Sequence, residues 1–467
     1  MRSGRQLLAR LPALTVAALV AAVATSGVRA DVSPGTGSFS ASDPLLTQIW
    51  QASVQTAQDM IVPGPLTTDW DGEPCAIDLP TVIIDGVVRD RCPYIGDEAV
   101  IDPTLDASTP DWPLQRAMLL WFADEQRGDG SIPPSPIDGA GLNLIDYDAY
   151  WVQVLYDYVL YSGDVGFAQQ IWPHVLRLLD DFYPAHVQDD LLVNPFGASD
   201  YGYIRRDGDL VAYYNAEYVL ALHDAVQLAQ WVGDAGSATS WTARADATSA
   251  AFAPAFWDAS AGAFTDTTLD RSTHPQDGNS FAVLAGIATQ SQALSAMNYL
   301  AGHDWRDYGN TIADTNDWAD ASWGWDAKDR VYPFMSYFEL IARFKLGLDS
   351  SAFDLLRREW GYMLRVGPGT MWETIGPFGG PPSDQHPSYD SGWSSGAAPA
   401  LTQYVLGVTP TSPGFATFTV SPHTGDLSSA SGVVPTPHGP IKVSWIDVLG
   451  KLFLRVTAPP GTRWVTS

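Results

Sequence analysis

Residues 146–183, DYDAYWVQVLYDYVLYSGDVGFAQQIWPHVLRLLDDFY, have the pattern of two helices joined by a tight turn. Apolar residues recur at three- and four-residue spacing on both sides of the break, which is the period of an amphipathic helix. Gly163 ends the first run and Asp164 begins the second. A glycine commonly closes a helix, and a short polar side chain commonly caps the next one. The stretch therefore predicts a helical hairpin.

The same pattern recurs along the chain, with further breaks near Gly233, Gly286 and Gly347. Counting the periodic segments predicts about eleven or twelve helices arranged as hairpins. A four-helix bundle is too small for this number, and a solenoid would show closer sequence repeats. We therefore expect a mainly α fold, an (α/α)6 toroid of six helical hairpins over residues 41–408.

The pattern changes after Gly407. The segments FATFTVSP, IKVSWIDV and KLFLRVTAPP alternate apolar and polar residues and are separated by turns rich in Gly and Pro. Alternation with a period of two is typical of half-buried strands. Residues 409–467 are therefore predicted to form a small antiparallel β domain. It is short for an independent sandwich, so we expect it to pack against the helices.

The N-terminus reads as a secretory signal peptide over residues 1–30. Three early arginines precede an apolar run, and the small-residue ending Val28-Arg29-Ala30 predicts cleavage near Ala30 and a secreted protein. An uncleaved N-terminal anchor is the alternative. Residues 31–40 read as a linker. No other segment approaches the length of a membrane span, so none is expected in the mature protein.

Composition narrows the classes of partner. The chain carries 53 Asp+Glu against 25 Lys+Arg, a formal net charge of −28. A net negative charge of this size repels nucleic acid and anionic membranes. The 18 Trp and 19 Tyr either fill a large helical core or line a sugar-binding cleft.

In an exported protein, Cys75 and Cys92 are expected to form a disulfide. Two cysteines without histidines nearby make no structural zinc site.

Residues 85–97, DGVVRDRCPYIGD, set two arginines among three carboxylates within a long irregular segment. Hydrolysis of a glycosidic bond needs an acid that protonates the leaving oxygen and a second carboxylate. Arg89 could hold one aspartate ionised and leave another protonated. The alternative is an Arg–Asp cluster that only pins the loop. Glu373, in GTMWETIGPFGG, is a second candidate carboxylate, although it could be an ordinary loop glutamate.

Together these motifs resemble the α-L-rhamnosidases of glycoside hydrolase family 78 over residues 40–460, nearly the whole mature chain. The family's loop Asp-x-x-x-Arg-Glu/Asp-x-x-x-Trp-x-Gly-Asp is matched by Asp85, Arg89, Asp90, Tyr94, Gly96 and Asp97. Its Trp-Glu motif is matched by Trp372-Glu373. The segment before its final helix resembles SYDSGWSSG, which holds Trp393, and its mid-barrel Asp-Trp resembles Asp200-Tyr201.

The resemblance implies an inverting glycoside hydrolase with Asp90 as general acid and Glu373 as general base, acting on a carbohydrate without a cofactor or metal. The residues it implies for substrate binding are Asp85, Arg89, Tyr94, Asp97, Asp200, Tyr201, Trp372 and Trp393. The sequence departs from the family at three positions: Asp90 stands where Glu is usual, Tyr94 where Trp is usual, and Ser391 where a histidine is often found. The resemblance begins at about residue 40, so the family's upstream β-sandwich domains are not expected in residues 1–467.

Two alternatives stay open: a six-hairpin hydrolase for another deoxy- or uronic sugar, and a non-catalytic glycan-binding protein that retains the pocket. The hydrolase hypothesis makes geometric predictions. Arg89 should pair with Asp85 or Asp97, and Arg91 should pack within its own loop. Asp90 and Glu373 should stand about 6.5–9.5 Å apart, the separation that leaves room for a water. At least two of six tryptophans should line the pocket: Trp70, Trp112, Trp323, Trp325, Trp372 and Trp393.

Overall fold

The structure is a computed structural model that describes residues 35–69, 72–75, 77–88, 91–135, 144–194, 200–202, 204, 206, 210–315, 330–381 and 388–466. The segment predicted to be a signal peptide, residues 1–30, lies outside these ranges. Within them, none of the helices has the length and apolarity that crossing a membrane requires.

The described helices are, in chain order, α1 (Pro44–Asp59), α2 (Ile95–Ser108), α3 (Trp112–Asp124), α4 (Ile145–Ser162), α5 (Val165–Leu176), α6 (Tyr183–Ala185), α7 (Ala212–Val232), α8 (Ala235–Phe256), α9 (Gln276–Leu284), α10 (Gln290–His303), α11 (Pro333–Lys345), α12 (Asp349–Arg358), α13 (Trp360–Val366) and α14 (Ala397–Ala400). A π-helical turn, Arg177–Phe182, joins α5 to α6, and another, Leu401–Val405, follows α14.

Six of these helices form a closed inner ring. Helices α2, α4, α7, α9, α11 and α14 pack each against the next, and α14 returns to α2. All fourteen residues of α2 are buried, as expected for a helix enclosed on every side. The outer helices bury one face only. In α8 that face is Trp241, Ala245, Thr248, Phe252 and Phe256, at helical spacing.

Five short turns join α2 to α3, α4 to α5, α7 to α8, α9 to α10, and α11 to α12, and α1 packs against α14 to complete the sixth pair. The predicted toroid of six hairpins is confirmed. The hairpin read from residues 146–183 ends its first helix at Gly163, with a left-handed φ of 77°. Asp164 caps the second helix, because its Oδ1 accepts from the Phe167 N–H at 3.1 Å.

All inner helices begin at the same end of the toroid, because each reaches the next through an antiparallel outer helix. We call this end the mouth. The long connections gather there, and they carry short antiparallel strand pairs. These are β2 (Ile61–Val62) with β3 (Val82–Ile83), β4 (Val187–Gln188) with β5 (Leu191–Leu192), β6 (Trp257–Asp258) with β7 (Ala263–Phe264), and β8 (Trp305–Arg306) with β9 (Gly309–Asn310).

The remaining strands build two further sheets, which confirm the predicted small β domain. They are β1 (Ser38–Ala41), β10 (Val408–Pro410), β11 (Thr417–Val420), β12 (Ser429–Val434), β13 (Ile441–Val448), β14 (Lys451–Thr457) and β15 (Arg463–Val465). One sheet has the antiparallel order β1-β12-β13-β14. The other has the order β10-β11-β15.

Two details of this domain differ from the sequence prediction. A linker was predicted over residues 31–40, but Ser38–Ala41 form β1 and pair with β12, so the chain's start completes a sheet built from its end. The predicted small antiparallel β domain is confirmed apart from one strand pair, because β15 runs parallel to β11. Both differences arise from pairings between segments distant in sequence, which local alternation does not reveal.

The β domain packs on the end of the toroid opposite the mouth. Its contacts fall where inner helices finish: the Trp445 indole N–H donates to the Val405 carbonyl at 2.9 Å, and Phe415 packs on Tyr161 near the end of α4 at 5.3 Å between ring centroids. The mouth is therefore left free of this domain.

Candidate active site

Three segments predicted to carry site residues are joined by backbone hydrogen bonds at the mouth. The Gly392 N–H donates to the Asp85 carbonyl at 2.9 Å, and the Glu373 N–H donates to the Ser388 carbonyl at 3.0 Å. The Trp393 indole N–H then donates to the Glu373 carbonyl at 2.8 Å. These bonds bring the segments of Asp85, Glu373 and Trp393 together, although Ser391, in the Trp393 segment, lies 306 positions from Asp85.

Ser391 bonds to the Asp85 segment through its side chain and to the Glu373 segment through its backbone. Its hydroxyl donates to the Asp85 carboxylate oxygen Oδ1 at 3.2 Å, and its backbone N–H donates to the Met371 carbonyl at 2.9 Å. This serine occupies the position where the resembling family often has histidine. Here a short hydroxyl side chain meets the carboxylate of Asp85 without bringing a group that titrates near neutral pH.

Glu373 lies in a bend next to Trp372, and both residues are buried. The Trp372 ring packs perpendicular to Tyr389 at 4.9 Å and against Tyr362 of the outer helix α13 at 6.3 Å. Trp372 therefore anchors the segment to the outer layer. Glu373 is only 6% exposed. A sugar contact by Trp372 stays a prediction.

Tyr94 and Asp97 lie at the start of α2. Asp97 is buried in the first turn, where the helix dipole and free N–H groups favour a carboxylate. The Tyr94 ring packs perpendicular to Tyr147 at 6.4 Å. Gly96 between them has a steric reason: a Cβ there would lie 2.5 Å from Cζ of Tyr147. The motif glycine thus lets α2 approach α4 closely.

The predicted Cys75–Cys92 disulfide is confirmed, with the two Cα atoms 6.1 Å apart. It ties the irregular segment just before α2, and the Cys92 carbonyl accepts from the Asp85 N–H at 3.2 Å. Arg91 packs into its own loop as predicted, because its Nη1 donates to the Val87 carbonyl at 2.7 Å.

The predicted acid and its neighbouring arginine, Asp90 and Arg89, lie outside the described residues. The Arg89 pairing and the separation between Asp90 and Glu373 therefore stay predictions. The structure does describe the residues that flank this part of the loop, and each of them is held in place. Asp85 is held by the Ser391 segment, and Cys92 is held by its disulfide.

Asp200 is fully buried, and its carboxylate is occupied by local contacts. Its Oδ1 accepts from the N–H groups of Gly202 at 3.0 Å and Ile204 at 3.2 Å, and its Oδ2 pairs with Arg206 at 3.1 Å. Burial raises the pKa of Asp200 to about 6, and the charge of Arg206 opposes that rise. These contacts give Asp200 a role in holding its turn. Its predicted contact with sugar stays untested.

Tyr201 connects the mid-barrel turn to the helix starts. Its N–H donates to the Asp146 carboxylate at 2.9 Å and its hydroxyl to Asp277 at 3.3 Å. Its ring packs against Tyr332 at 5.7 Å, and Tyr332 packs against Trp393 at 6.0 Å. Through Tyr332, aromatic contacts therefore connect Tyr201 to Trp393. The family resemblance implies that both of these residues bind substrate.

Sequence reasoning missed a buried ionic cluster around Arg206. Its guanidinium pairs with Asp200 at 3.1 Å, Asp266 at 3.0 Å and Asp277 at 2.7 Å, and all four side chains are buried. Asp146 lies next to the cluster, and its pKa is raised by burial and by the nearby charge of Asp200.

One signal could have found two of these residues. Asp146 and Asp277, like Asp97, stand in the first turn of an inner helix, where a carboxylate is favoured. Carboxylates in the first turns of three inner helices, α2, α4 and α9, place a set of acids around the mouth.

The tryptophan prediction is only partly testable. Trp112 begins α3 just after α2 ends, so it lies at the far end of the toroid, and its indole donates to Asp106 at 2.8 Å. Trp393 lies at the mouth, stacked on Phe334 at 5.1 Å between centroids. Trp70, Trp323 and Trp325 lie outside the described residues. Within the described ranges no three His, Cys, Asp or Glu side chains are arranged so that they could hold a metal ion, and the expected absence of a metal stays a prediction.

Comparison with family models agrees with this architecture. The model described as the bacterial alpha-L-rhamnosidase 6 hairpin glycosidase domain matches residues 76–313, and the model of the bacterial alpha-L-rhamnosidase C-terminal domain matches residues 407–465. Among curated proteins, no sequence matches this chain.

Solved structures share the fold. A family 78 rhamnosidase from Bacillus sp. GL1 matches 92% of this chain and 44% of its own, with 23% identity and a TM-score of 0.70. A Streptomyces avermitilis α-L-rhamnosidase complexed with L-rhamnose matches 91% and 38%, with 18% identity and a TM-score of 0.69. A Klebsiella oxytoca rhamnosidase with rhamnose bound matches 79% and 66%, with 22% identity and a TM-score of 0.62. The chain thus spans less than half the length of the first two.

Proposed function

We propose a function from the premise that this chain belongs to the bacterial α-L-rhamnosidase family with a six-hairpin glycosidase domain. The proposal is that the protein is an exported, inverting glycoside hydrolase. It removes terminal L-rhamnose or a closely related sugar from glycosides or polysaccharides. The segment predicted to be a signal peptide supports export, and the family supports the sugar.

The observation that carries this proposal is the hydrogen-bonded convergence of the Asp85 and Glu373 segments at the mouth. Two carboxylate-bearing segments distant in sequence are both bonded to residues 388–392, and the Ser391 hydroxyl donates to the Asp85 carboxylate. A toroid alone would not need this arrangement. Glycoside hydrolysis does, because the sugar must be gripped and flanked by two carboxyl groups.

In the proposed reaction, Asp90 gives its proton to the glycosidic oxygen as the bond from that oxygen to the anomeric carbon breaks. Glu373 takes a proton from a water molecule, whose oxygen bonds to the anomeric carbon from the opposite face. Glu373 is buried, and charges interact more strongly where little water screens them. Asp85 grips sugar hydroxyls as an acceptor.

The test is a panel of nitrophenyl glycosides: α-L-rhamnoside, α-L-fucoside and β-D-glucuronide. We expect the rhamnoside to be hydrolysed fastest, and Glu373→Gln to lower kcat by about 10³-fold because the base is lost. Glu125→Gln, at an exposed glutamate that ends α3, is the matched control and should leave the rate unchanged.

The alternatives predict different results. Faster hydrolysis of the fucoside or the glucuronide would favour a hydrolase for another deoxy- or uronic sugar. Rhamnose binding without hydrolysis of any of the three glycosides would favour the non-catalytic glycan-binding protein. Equal rates for wild type and Glu373→Gln would remove Glu373 from the proposed mechanism.

A further inference from the structure

Basic side chains gather on one face of the sheet β1-β12-β13-β14, although the molecule as a whole is strongly acidic. In β13, Lys442 and Ile446 are exposed, while Val443 and Trp445 between them are buried. This alternation separates a solvent face from a core face. The register places Arg455 of β14 beside β13 on the same solvent face. The described strands of this sheet present no carboxylate on it.

A depression of about 370 Å³ lies on that face. A volume in this range is typical of small-ligand sites. We call its polar lining the basic sheet face, formed by Ser38, Ser40, Ser431, Lys442, Ser444, Arg455 and Thr457. Cross-strand pairing explains the grouping, since Ser40 lies opposite Ser431, which lies opposite Ser444, which lies opposite Arg455. Three hydroxyls and a guanidinium therefore form one row across four strands.

The two cations of the basic sheet face are available to a ligand. Neither Lys442 nor Arg455 makes an ion pair with any of the described residues, whereas most other arginines of the described chain contact a carboxylate or a carbonyl. On the same face of β14, two residues before Arg455, Phe453 is 49% exposed, and the ammonium of Lys451 lies 5.1 Å from the centre of its ring. An exposed aromatic ring offers a flat apolar surface next to the charges.

We propose that the basic sheet face binds an acidic polysaccharide, one whose sugar rings carry carboxylates. Lys442 and Arg455 would pair with the carboxylates through charge-assisted hydrogen bonds. The row of serine hydroxyls would exchange hydrogen bonds with ring hydroxyls, and Phe453 would pack against the C–H face of a pyranose. Each of these three features meets one part of a uronic-acid unit.

Net charge separates this ligand from other polyanions. With a formal charge of −28, the molecule repels dense polyanions over distances longer than a hydrogen bond. Duplex DNA carries one charge for about every 1.7 Å of its axis. A uronic-acid glycan carries at most one carboxylate on each ring, and it supplies hydroxyls that lipid and nucleic-acid phosphates lack.

The location suggests what binding would do. The β domain packs on the end of the toroid opposite the mouth, so a polymer held there leaves the mouth open. Tethering raises the effective concentration of other segments of the same polymer around the enzyme. This consequence rests on the proposed function, whereas the binding itself does not.

The experiment is isothermal titration of the full-length protein with polygalacturonate, with its fully methyl-esterified form, with duplex DNA and with anionic phospholipid vesicles. The variant is Lys442→Gln/Arg455→Gln. The matched control is Arg463→Gln, which removes an exposed charge from β15 in the other sheet of the same domain. Hydrolysis of the nitrophenyl rhamnoside is measured on every variant.

We expect wild type and Arg463→Gln to bind polygalacturonate equally, the double variant to bind about tenfold or more weakly, and the methyl ester to bind poorly. Rhamnoside hydrolysis should be equal in all three. The proposal is overturned if wild type does not bind polygalacturonate, if ester and acid bind alike, if both variants weaken equally, or if DNA or vesicles bind as tightly. Absence of rhamnoside hydrolysis alongside intact binding would refute the proposed function and leave this inference standing.

Discussion

Arg206→Met should destabilise the protein through three carboxylates that lose their cation. Arg206 pairs with Asp200, Asp266 and Asp277 at 3.1, 3.0 and 2.7 Å, and no side chain in the cluster is more than 3% exposed. Breaking a buried ionic cluster by removing one partner costs about 3–5 kcal/mol. For a chain of this length, about 1 kcal/mol corresponds to about 1 °C of Tm. We therefore expect Tm to fall by about 3–5 °C.

The loss should depend on pH with a definite sign. Burial already raises the pKa of Asp200 to about 6 while Arg206 is present. Without the guanidinium that pKa rises further, so the carboxyl is neutral near pH 5 and its uncompensated charge is avoided. The Tm difference between variant and wild type should be larger at about pH 8 than at about pH 5.

The assay is differential scanning calorimetry at the two pH values. Arg116→Met is the matched control, because Arg116 lies 3.6 Å from Asp164 and both side chains are 40% exposed. An exposed pair of this kind is worth about 1 kcal/mol or less, and its Tm change should not exceed about 1 °C. Equal Tm changes for the two variants, or a larger Arg206→Met defect at acidic pH, would contradict the reasoning.

Three further perturbations test neighbouring parts of the site. The pKa of Asp390 is raised to about 7, first by desolvation and also by the charge of Asp59. The stabilising contribution of the protonated Asp390 is therefore full below about pH 4 and is lost as the pH rises through 7. Asp390→Asn cannot titrate there, so scanning calorimetry should show a smaller fall in its Tm between about pH 5 and 8 than in that of wild type. Ser391→Ala removes the hydrogen bond to Asp85 and should raise KM for the rhamnoside roughly fivefold with little change in kcat in steady-state assays; an unchanged KM would contradict that role. Reducing the disulfide, which joins residues 17 apart, should lower Tm by about 3 °C in a thermal shift assay, and no change would show that the loop is held without it.

The helical part of the fold was predictable because its breaks have a local cause. Gly163, Gly233, Gly286 and Gly347 all adopt positive φ, between 70° and 90°. Glycine reaches this region without the steric penalty that other residues meet. The period of three to four between those glycines then leaves little alternative to paired helices.

The parts that escaped prediction depend on residues far apart in the chain. Strand β1 is only four residues long, and its partner β12 begins at Ser429. The sequence of Ser38–Ala41 therefore does not predict that pairing. Arg206 shows the same limit in the site, since its carboxylate partners extend from residue 200 to residue 277. Asp85 and Glu373 were assigned together only because the order of motifs resembled a known family.

The most direct test of the proposed function is ¹H NMR of the anomeric proton of the sugar released from nitrophenyl α-L-rhamnoside, recorded before mutarotation. We predict that β-L-rhamnose appears first, because water activated by Glu373 attacks the face opposite the leaving oxygen. The α-anomer appearing first would contradict inversion, and no release of rhamnose would contradict the hydrolase itself.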